Sequence, residues 1–504
     1  KSTALRTLIM SGAATHTPEQ LQFYCLDFGG GTLTSLAKLP HVGGVAISSD
    51  PEAVNRVIAE VSEVVERRSA LFRELRITGG MDSYRDKVAA GTAPDDGFGD
   101  VVLLIDGWDN FKKDHPDSVD AIIRITNAGL GVGVHVVLAL QVHTELPRGL
   151  NQSFSARVDF KLNSPELSGV NNKRLAEAVP DVPGRGLDVN SAHHIMIGAP
   201  RLDAVEAVDD AGLAAAVETI SAQWRGQSAR SVRILPERVD FSTLQIPAGY
   251  PGSPWSAPIG LYEKDHSTVM LDFVADRHLN VFGRKDSGKT HLLAAIMRSL
   301  MQRYTPDEVK FLVVDLKSSA LLDAVDDRYI LQWTGIVEET NLRPAPGQPT
   351  KTQREVARTG LLLDAPDVAP AMQDVSRALG RRLPSGPLTA QQRRSRAWWS
   401  GPEIFLFIDD YQMVYNAVPQ AFEALKPNWG TAHNLGFHAV VACPIGIATR
   451  VLSQTGQLPK QINDVNGATL VMDGIKENGP ILGVRVEPRV PGRGVLITGG
   501  DKEV

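Results

Sequence analysis

The 504-residue chain has little cysteine, no apolar run long enough for a bilayer, and no excess of basic charge. Two cysteines cannot build a disulfide scaffold. Both, Cys25 and Cys443, lie inside apolar runs (QFYCLDF and VVACPIG) and read as buried, reduced thiols of a cytosolic protein. No stretch approaches the ~18 apolar residues of a membrane helix. A formal net charge of −6 offers no global field to draw nucleic acid. No group of His, Cys and Asp has the spacing of a metal centre. What remains is an ordinary globular composition, 43% apolar and 22% charged, which excludes a disordered polyelectrolyte or a fibre. The length suits two large α/β units or three average domains.

The chain repeats itself. Gly288-Lys289-Thr290 precedes an apolar-periodic helix in which Leu292, Leu293, Ile296, Met297 and Leu300 share a face, and Lys1-Ser2-Thr3 precedes ALRTLIMSGA in the same way. Twenty-six residues after Lys1 stands Asp27, closing QFYCLD; twenty-six after Lys289 stands Asp315, closing KFLVVD. VVLLID (101–106) matches IFLFID (404–409), GVHVVLAL (133–140) matches GFHAVVAC (436–443), and PGRG occurs at 183–186 and again at 491–494. Five paired landmarks in one order indicate a tandem duplication, with units expected at 1–228 and 229–504. Apolar runs ending in Asp and alternating with helices predict parallel strands covered on both faces. The expected fold class is therefore α/β, two tandem P-loop NTPase domains of FtsK/RecA-like type, each a mostly parallel sheet flanked by helices.

Gly283-Arg284-Lys285-Asp286-Ser287-Gly288-Lys289-Thr290 fits the phosphate-loop pattern G-x-x-x-x-G-K-S/T, between the strand HLNVF and the helix. Glycines let successive backbone N–H groups curl around phosphates, and the helix N-terminus adds its positive end. Lys289 would neutralise β/γ-phosphate charge and the Thr290 hydroxyl would hold Mg²⁺. By alignment Lys1, Ser2 and Thr3 are the same loop end in the first copy, so Lys1 is expected to lie inside a phosphate loop and the chain to be part of something longer. Asp106 and Asp409 read as Walker B aspartates, holding Mg²⁺ opposite Ser2 and Thr290. A vigorous ATPase usually places a glutamate next, to orient the attacking water. Here stand Gly107, with no side chain, and Asp410, one methylene short. Gln141, after HVVLAL, is a candidate γ-phosphate sensor, and its counterpart Pro444 cannot serve. The catalytic candidates are thus Asp409, Asp410, Gln141 and Asp106, with both sites expected to hydrolyse poorly.

Other features carry less chemistry. His135 and His438 read as structural histidines at strand starts. Arg185 and Arg493, in the PGRG turns, are either fingers reaching a neighbour's phosphate or turn-pinning residues. Residues 226–258, rich in Pro, Gly and Ser, read as a linker with one strand at SVRILPE. A strand is expected at IGLYEK, and an insertion at about 335–400 as largely irregular. Residues 375–402 carry six arginines and no acid beside Trp398-Trp399. That pattern reads as a solvated or docking segment rather than a nucleic-acid site.

The paired phosphate-loop units, FGDVVLLIDGWDNF (98–111), VFGRKDSGKT and LTAQQRRSRAWWSGPEIFLFIDDYQMV (388–414) resemble the FtsK/SpoIIIE translocase ATPases. More closely they resemble EccC, the multi-ATPase component of type VII (ESX) secretion. The resemblance spans the chain and corresponds to the second and third ATPase domains. It implies ATP and Mg²⁺ as ligands, membrane subunits of a secretion machine as partners, and a ring oligomer in the full assembly. It further implies a position on the cytoplasmic side of the membrane, with the anchor elsewhere, and recognition of small helical WXG-type substrates through their C-terminal tails in an apolar pocket of the last domain. No nucleic acid is expected as a partner. The competing expectations are an FtsK-like DNA translocase and a nucleotide-locked structural scaffold.

Overall fold

A computed structural model describes residues 1–498 apart from 143–145, 171, 204, 206–209, 248–249, 251–254, 319 and 341–350. It divides into two compact units, 1–234 and 235–504. The division falls later than residue 228 because the next residues are tied to the first unit. Ala229 N–H donates to Pro40 O (2.6 Å), Val232 N–H to Gly43 O (2.8 Å), and the Tyr24 hydroxyl to Arg230 O (2.8 Å). The strand expected at SVRILPE does not form; this segment stays irregular.

In the first unit, strands β1 (Leu21–Asp27), β2 (Val42–Ile47), β3 (Asp100–Asp106) and β4 (Val134–Ala139) make a parallel sheet in the order β2-β1-β3-β4. Along β1 and β3 successive side chains point to opposite faces, and nearly all are buried. Phe23, Cys25, Val102 and Leu104 pack with Leu5, Ile9 and Met10 of the helix Ser2–Thr15. Tyr24, Leu26, Leu103 and Ile105 face the opposite way, onto Val54, Val57 and Val61 of the helix Pro51–Glu74. Both faces are covered, which is why these strands read as unbroken apolar runs. Three short antiparallel strands, β5 (Val158–Phe160), β6 (Arg185–Asp188) and β7 (His193–Met196), form a second sheet.

The second unit opens on the antiparallel pair β8 (Ser256–Leu261) and β9 (Thr268–Asp272), so the strand expected at IGLYEK begins and ends earlier. Its main sheet uses β10 (Leu279–Gly283), β11 (Val309–Val314), β14 (Leu361–Leu362), β15 (Glu403–Ile408), β16 (Phe437–Pro444), β17 (Ala468–Val471) and β18 (Val495–Ile497). The order is β14-β11-β15-β16-β10-β17-β18, parallel except for the β17/β18 pair. The chain adjacency β1-β3-β4 recurs as β11-β15-β16, with Asp106 and Asp409 at the same carboxyl edge. The expected fold class is the observed one.

One expectation fails. The insertion at 335–400 is not irregular, for it contains most of an antiparallel hairpin, β12 (Gln332–Thr340) and β13 (Lys351–Thr359), and a helix, Ala365–Arg381. That helix buries Val368, Ala371, Met372, Val375 and Leu379, a 3-4 spacing that the prolines Pro366 and Pro370 disguise as loop composition. Three of the six arginines are engaged within the fold. Arg382 lies over the Trp399 ring (4.2 Å) and donates to Leu435 O and Pro402 O, while Arg396 pairs with Glu403 (2.5 Å) and Arg377 with Asp374.

Candidate functional site

In the second unit the loop after β10 turns sharply. Asp286 and Gly288 take positive φ (62° and 101°), and Gly288 caps the helix Lys289–Arg303, whose Leu293, Ile296, Met297 and Leu300 are buried as the sequence predicts. A methyl at Gly283 would stand 2.4 Å from Ser287 Oγ, so the loop closes only with glycine there. Arg284, Lys285 and Asp286 point outward; Arg284 forms a two-pronged pair with Asp473 (2.7 and 2.9 Å). Lys289 Nζ lies inside the loop, donating to Gly283 O (3.0 Å) and Arg284 O (2.6 Å). Burial pulls its ammonium below the ordinary value, opposed by Asp409 and Asp410. The Thr290 hydroxyl donates to Asp409 Oδ2 at 2.8 Å. This pair joins the loop to the carboxyl end of β15, as a shared hard cation requires. The oxygen donor set suits Mg²⁺, and the lysine among carbonyls suits a phosphate.

Asp410 follows in a left-handed conformation (φ 57°) and pairs with Lys317, which sequence reasoning missed. Pro444 lines a cleft of about 530 Å³ together with Arg284 and Lys285 of the loop, Ile445, Asp473 and Asn478. The second PGRG turn touches the loop, with Gly492 N–H donating to Ser287 O (2.9 Å). Arg493 donates to Leu235 O and Pro236 O, which favours the turn-pinning role over the finger.

The first unit gathers its candidates around a cleft of about 470 Å³ lined by Lys1, Ser2, Gly29, Asp106, Asp109 and Gln141, among others. Thr3 follows as the second residue of the helix Ser2–Thr15. Lys1 Nζ donates to Leu140 O (3.0 Å). Asp106 is buried, and its Oδ2 has no hydrogen-bond partner among the described residues, an orphaned acceptor where a cation would sit. Gln141 is exposed at the rim, held by its N–H to Asp109 Oδ2 (3.0 Å). Asp109 was not anticipated; its position three past the Walker B aspartate was the available signal. Asp27 is structural, accepting N–H groups from Gly29, Gly31 and Leu33. Both cysteines are buried and unpaired with one another, and burial pushes both thiols up, Cys25 to about 12.

Of the two histidines read as structural, one is enclosed in the core and the other is part-exposed. His438 is fully buried between Arg277 O (2.9 Å) and Glu403 (3.0 Å), and His135 stands 3.7 Å from Asp100, the residue matching Glu403.

A sequence profile of the FtsK/SpoIIIE family matches residues 1–203 and 254–329. ESX-1 secretion system protein EccCb1 of Mycolicibacterium smegmatis is 35% identical over 518 aligned residues, covering all of this chain and 81% of that protein. The chain belongs to the FtsK/SpoIIIE family, among the EccC-type ESX secretion ATPases. It is also 35% identical to ESX secretion system protein EccC of Thermomonospora curvata, where it spans 35% of the relative's length. Among solved structures, ATPases 2 and 3 of Thermomonospora curvata EccC, in complex with a signal sequence peptide, superpose with a TM-score of 0.70 at 34% identity, covering 99% of this chain and 83% of that one.

In this EccC-type chain the backbone at position 107 has no room for a side chain. Gly107 has φ 78°, and a Cβ there would stand 2.7 Å from the Phe28 backbone. Gly107→Glu is expected to cost about 2–3 kcal/mol in a denaturant melt and to leave hydrolysis unimproved. A folded variant with faster ATP cleavage would refute this account.

Proposed function

We propose that this chain is the substrate-sensing, nucleotide-holding part of a type VII secretion ATPase. The observation that carries the reading is the Thr290–Asp409 bond beside Lys289 at the end of β15, within a chain matched along its whole length by EccC-type proteins. Lys289 and the loop N–H groups would bind the β- and γ-phosphates of ATP, and Thr290 with Asp409 would hold Mg²⁺. Ser2 and Asp106 are assigned the same task in the first unit. The ion would neutralise charge on the phosphates. Gly107 and a restrained Asp410 make both units grip nucleotide longer than they cleave it.

The signal sequence peptide bound by the Thermomonospora relative supports a peptide ligand here as well. The substrate class is taken to be small helical WXG-type proteins presenting a C-terminal tail, and the place of work the cytoplasmic face of a membrane machine with its other subunits, within a ring. The DNA-translocase reading gains nothing from the arginine stretch, because Arg382 and Arg396 are bound to backbone and to Glu403. A pulldown with a WXG-type pair, with and without its tail, tests the proposal. Capture that disappears with the tail is expected; capture indifferent to the tail, or none, would sink it.

A further inference from the structure

The geometry points to Lys317 as a brake on ATP cleavage in the second unit, a step beyond the nucleotide-holding reading and resting on it. Lys317 leaves the end of β11 two residues after Asp315, and its ammonium grips Oδ2 of Asp410. Oδ1 of the same carboxylate is buried, with no hydrogen-bond partner among the described residues. The side chain that follows the Walker B aspartate is therefore present, turned toward the site, and pinned at one oxygen by a cation. Cleavage needs a water whose oxygen bonds to the γ-phosphorus while the bond from that phosphorus to the bridging oxygen breaks. ADP leaves with that electron pair, and both protons of the water end on inorganic phosphate, as H2PO4⁻. An unpinned Asp410 can turn to accept a hydrogen bond from that water and so orient it; a carboxylate clamped by Lys317 is fixed, and part of its acceptor strength is diverted.

The duplication supplies an independent observation. The position matching Lys317 is Gly29, and the position matching Asp410 is Gly107. A Cβ at Gly29 would fall 2.4 Å from Asp106 Oδ2, and one at Gly107 2.7 Å from the backbone of Phe28. In the first unit both members of the pair are missing, and their places are closed, by the Asp106 carboxylate at Gly29 and by the Phe28 backbone at Gly107. Cation and carboxylate are present together in one copy and absent together in the other. A partly exposed ion pair contributes little to folding, so a stability role gives weak reason for this joint pattern. The first unit is disabled by its backbone, and the second is restrained by a side chain that can let go.

The test uses the full chain, with single-turnover cleavage of Mg-ATP and, separately, affinity for a fluorescent ATP analogue. Lys317→Met and Lys317→Gln are expected to speed cleavage about tenfold, at the low end for a positioned water-orienting group, with affinity changed less than about threefold. Lys317→Arg, which keeps a cation in reach, gives no gain. Lys317→Met/Asp410→Asn loses the gain, which locates it in the second unit. Normal binding with no faster cleavage in the Met and Gln variants overturns the brake alone, as does a gain that survives Asp410→Asn. A wild-type chain that binds no nucleotide overturns the functional reading and the brake together.

Discussion

Lys289→Ala will weaken ATP binding to the second unit about a hundredfold, equivalent to about 2.8 kcal/mol. Lys289 Nζ lies 3.0 Å from Gly283 O and 2.6 Å from Arg284 O, so its charge is already delivered to the loop's mouth before any ligand arrives. Little ordering is left to pay for, and the variant loses a preorganised charge-assisted contact to phosphate. The fold should persist, because the side chain bonds only loop carbonyls that water can also reach. Titration with a fluorescent ATP analogue in the wild type and the variant decides the matter. An affinity held within about threefold would mean that this loop is not the phosphate site, and an unfolded variant would contradict the structural argument just given.

The largest stability effect is expected at Glu403. Its side chain is 3% exposed and stands between Arg396 (2.5 Å) and His438 (3.0 Å). Glu403→Ala leaves the Arg396 guanidinium and the buried imidazole without their anion, a change that costs about 3–5 kcal/mol when one partner of a buried pair is removed. Burial alone would raise the Glu403 carboxyl, but the hydrogen bond and charge of His438, with the charge of Arg396, outweigh it and hold the group below its ordinary 4.5. A depressed carboxylate stabilises the fold above its unfolded value and loses that contribution as pH falls through the folded value. Wild-type and variant denaturation curves should therefore differ fully near neutrality and draw together below pH 4.5. A gap undiminished in acid would show that packing, rather than charge, sets the cost.

Glu403 has no signature in the linear sequence. It is the first residue of β15 and carries no motif; only its partners, brought from residues 396 and 438, make it a charge centre. Lys317 was missed for the same reason. Its pairing with Asp410 needs β11 and β15 to be neighbours, and nothing in LKSSA announces that. The helix Ala365–Arg381 is a different failure, since its apolar spacing was present but two prolines outweighed it in the reading.

The family, the tandem α/β fold, the glycine turn ahead of the helix at Lys289 and the strand-ending aspartates at 106 and 409 were legible in the chain. Their chemistry is local: a glycine-rich turn between strand and helix, or an acid closing a buried strand, leaves its signature over a few adjacent residues. Which side chains hold those groups in place was settled only when the parallel sheets brought β11 beside β15 and β1 beside β3. Ion pairs such as Lys317–Asp410 and Glu403–His438, and the close approaches of Asp106 to Gly29 and of the Phe28 backbone to Gly107, depend on distances of a few ångströms between residues far apart in sequence, and one-dimensional spacing carries no such distances.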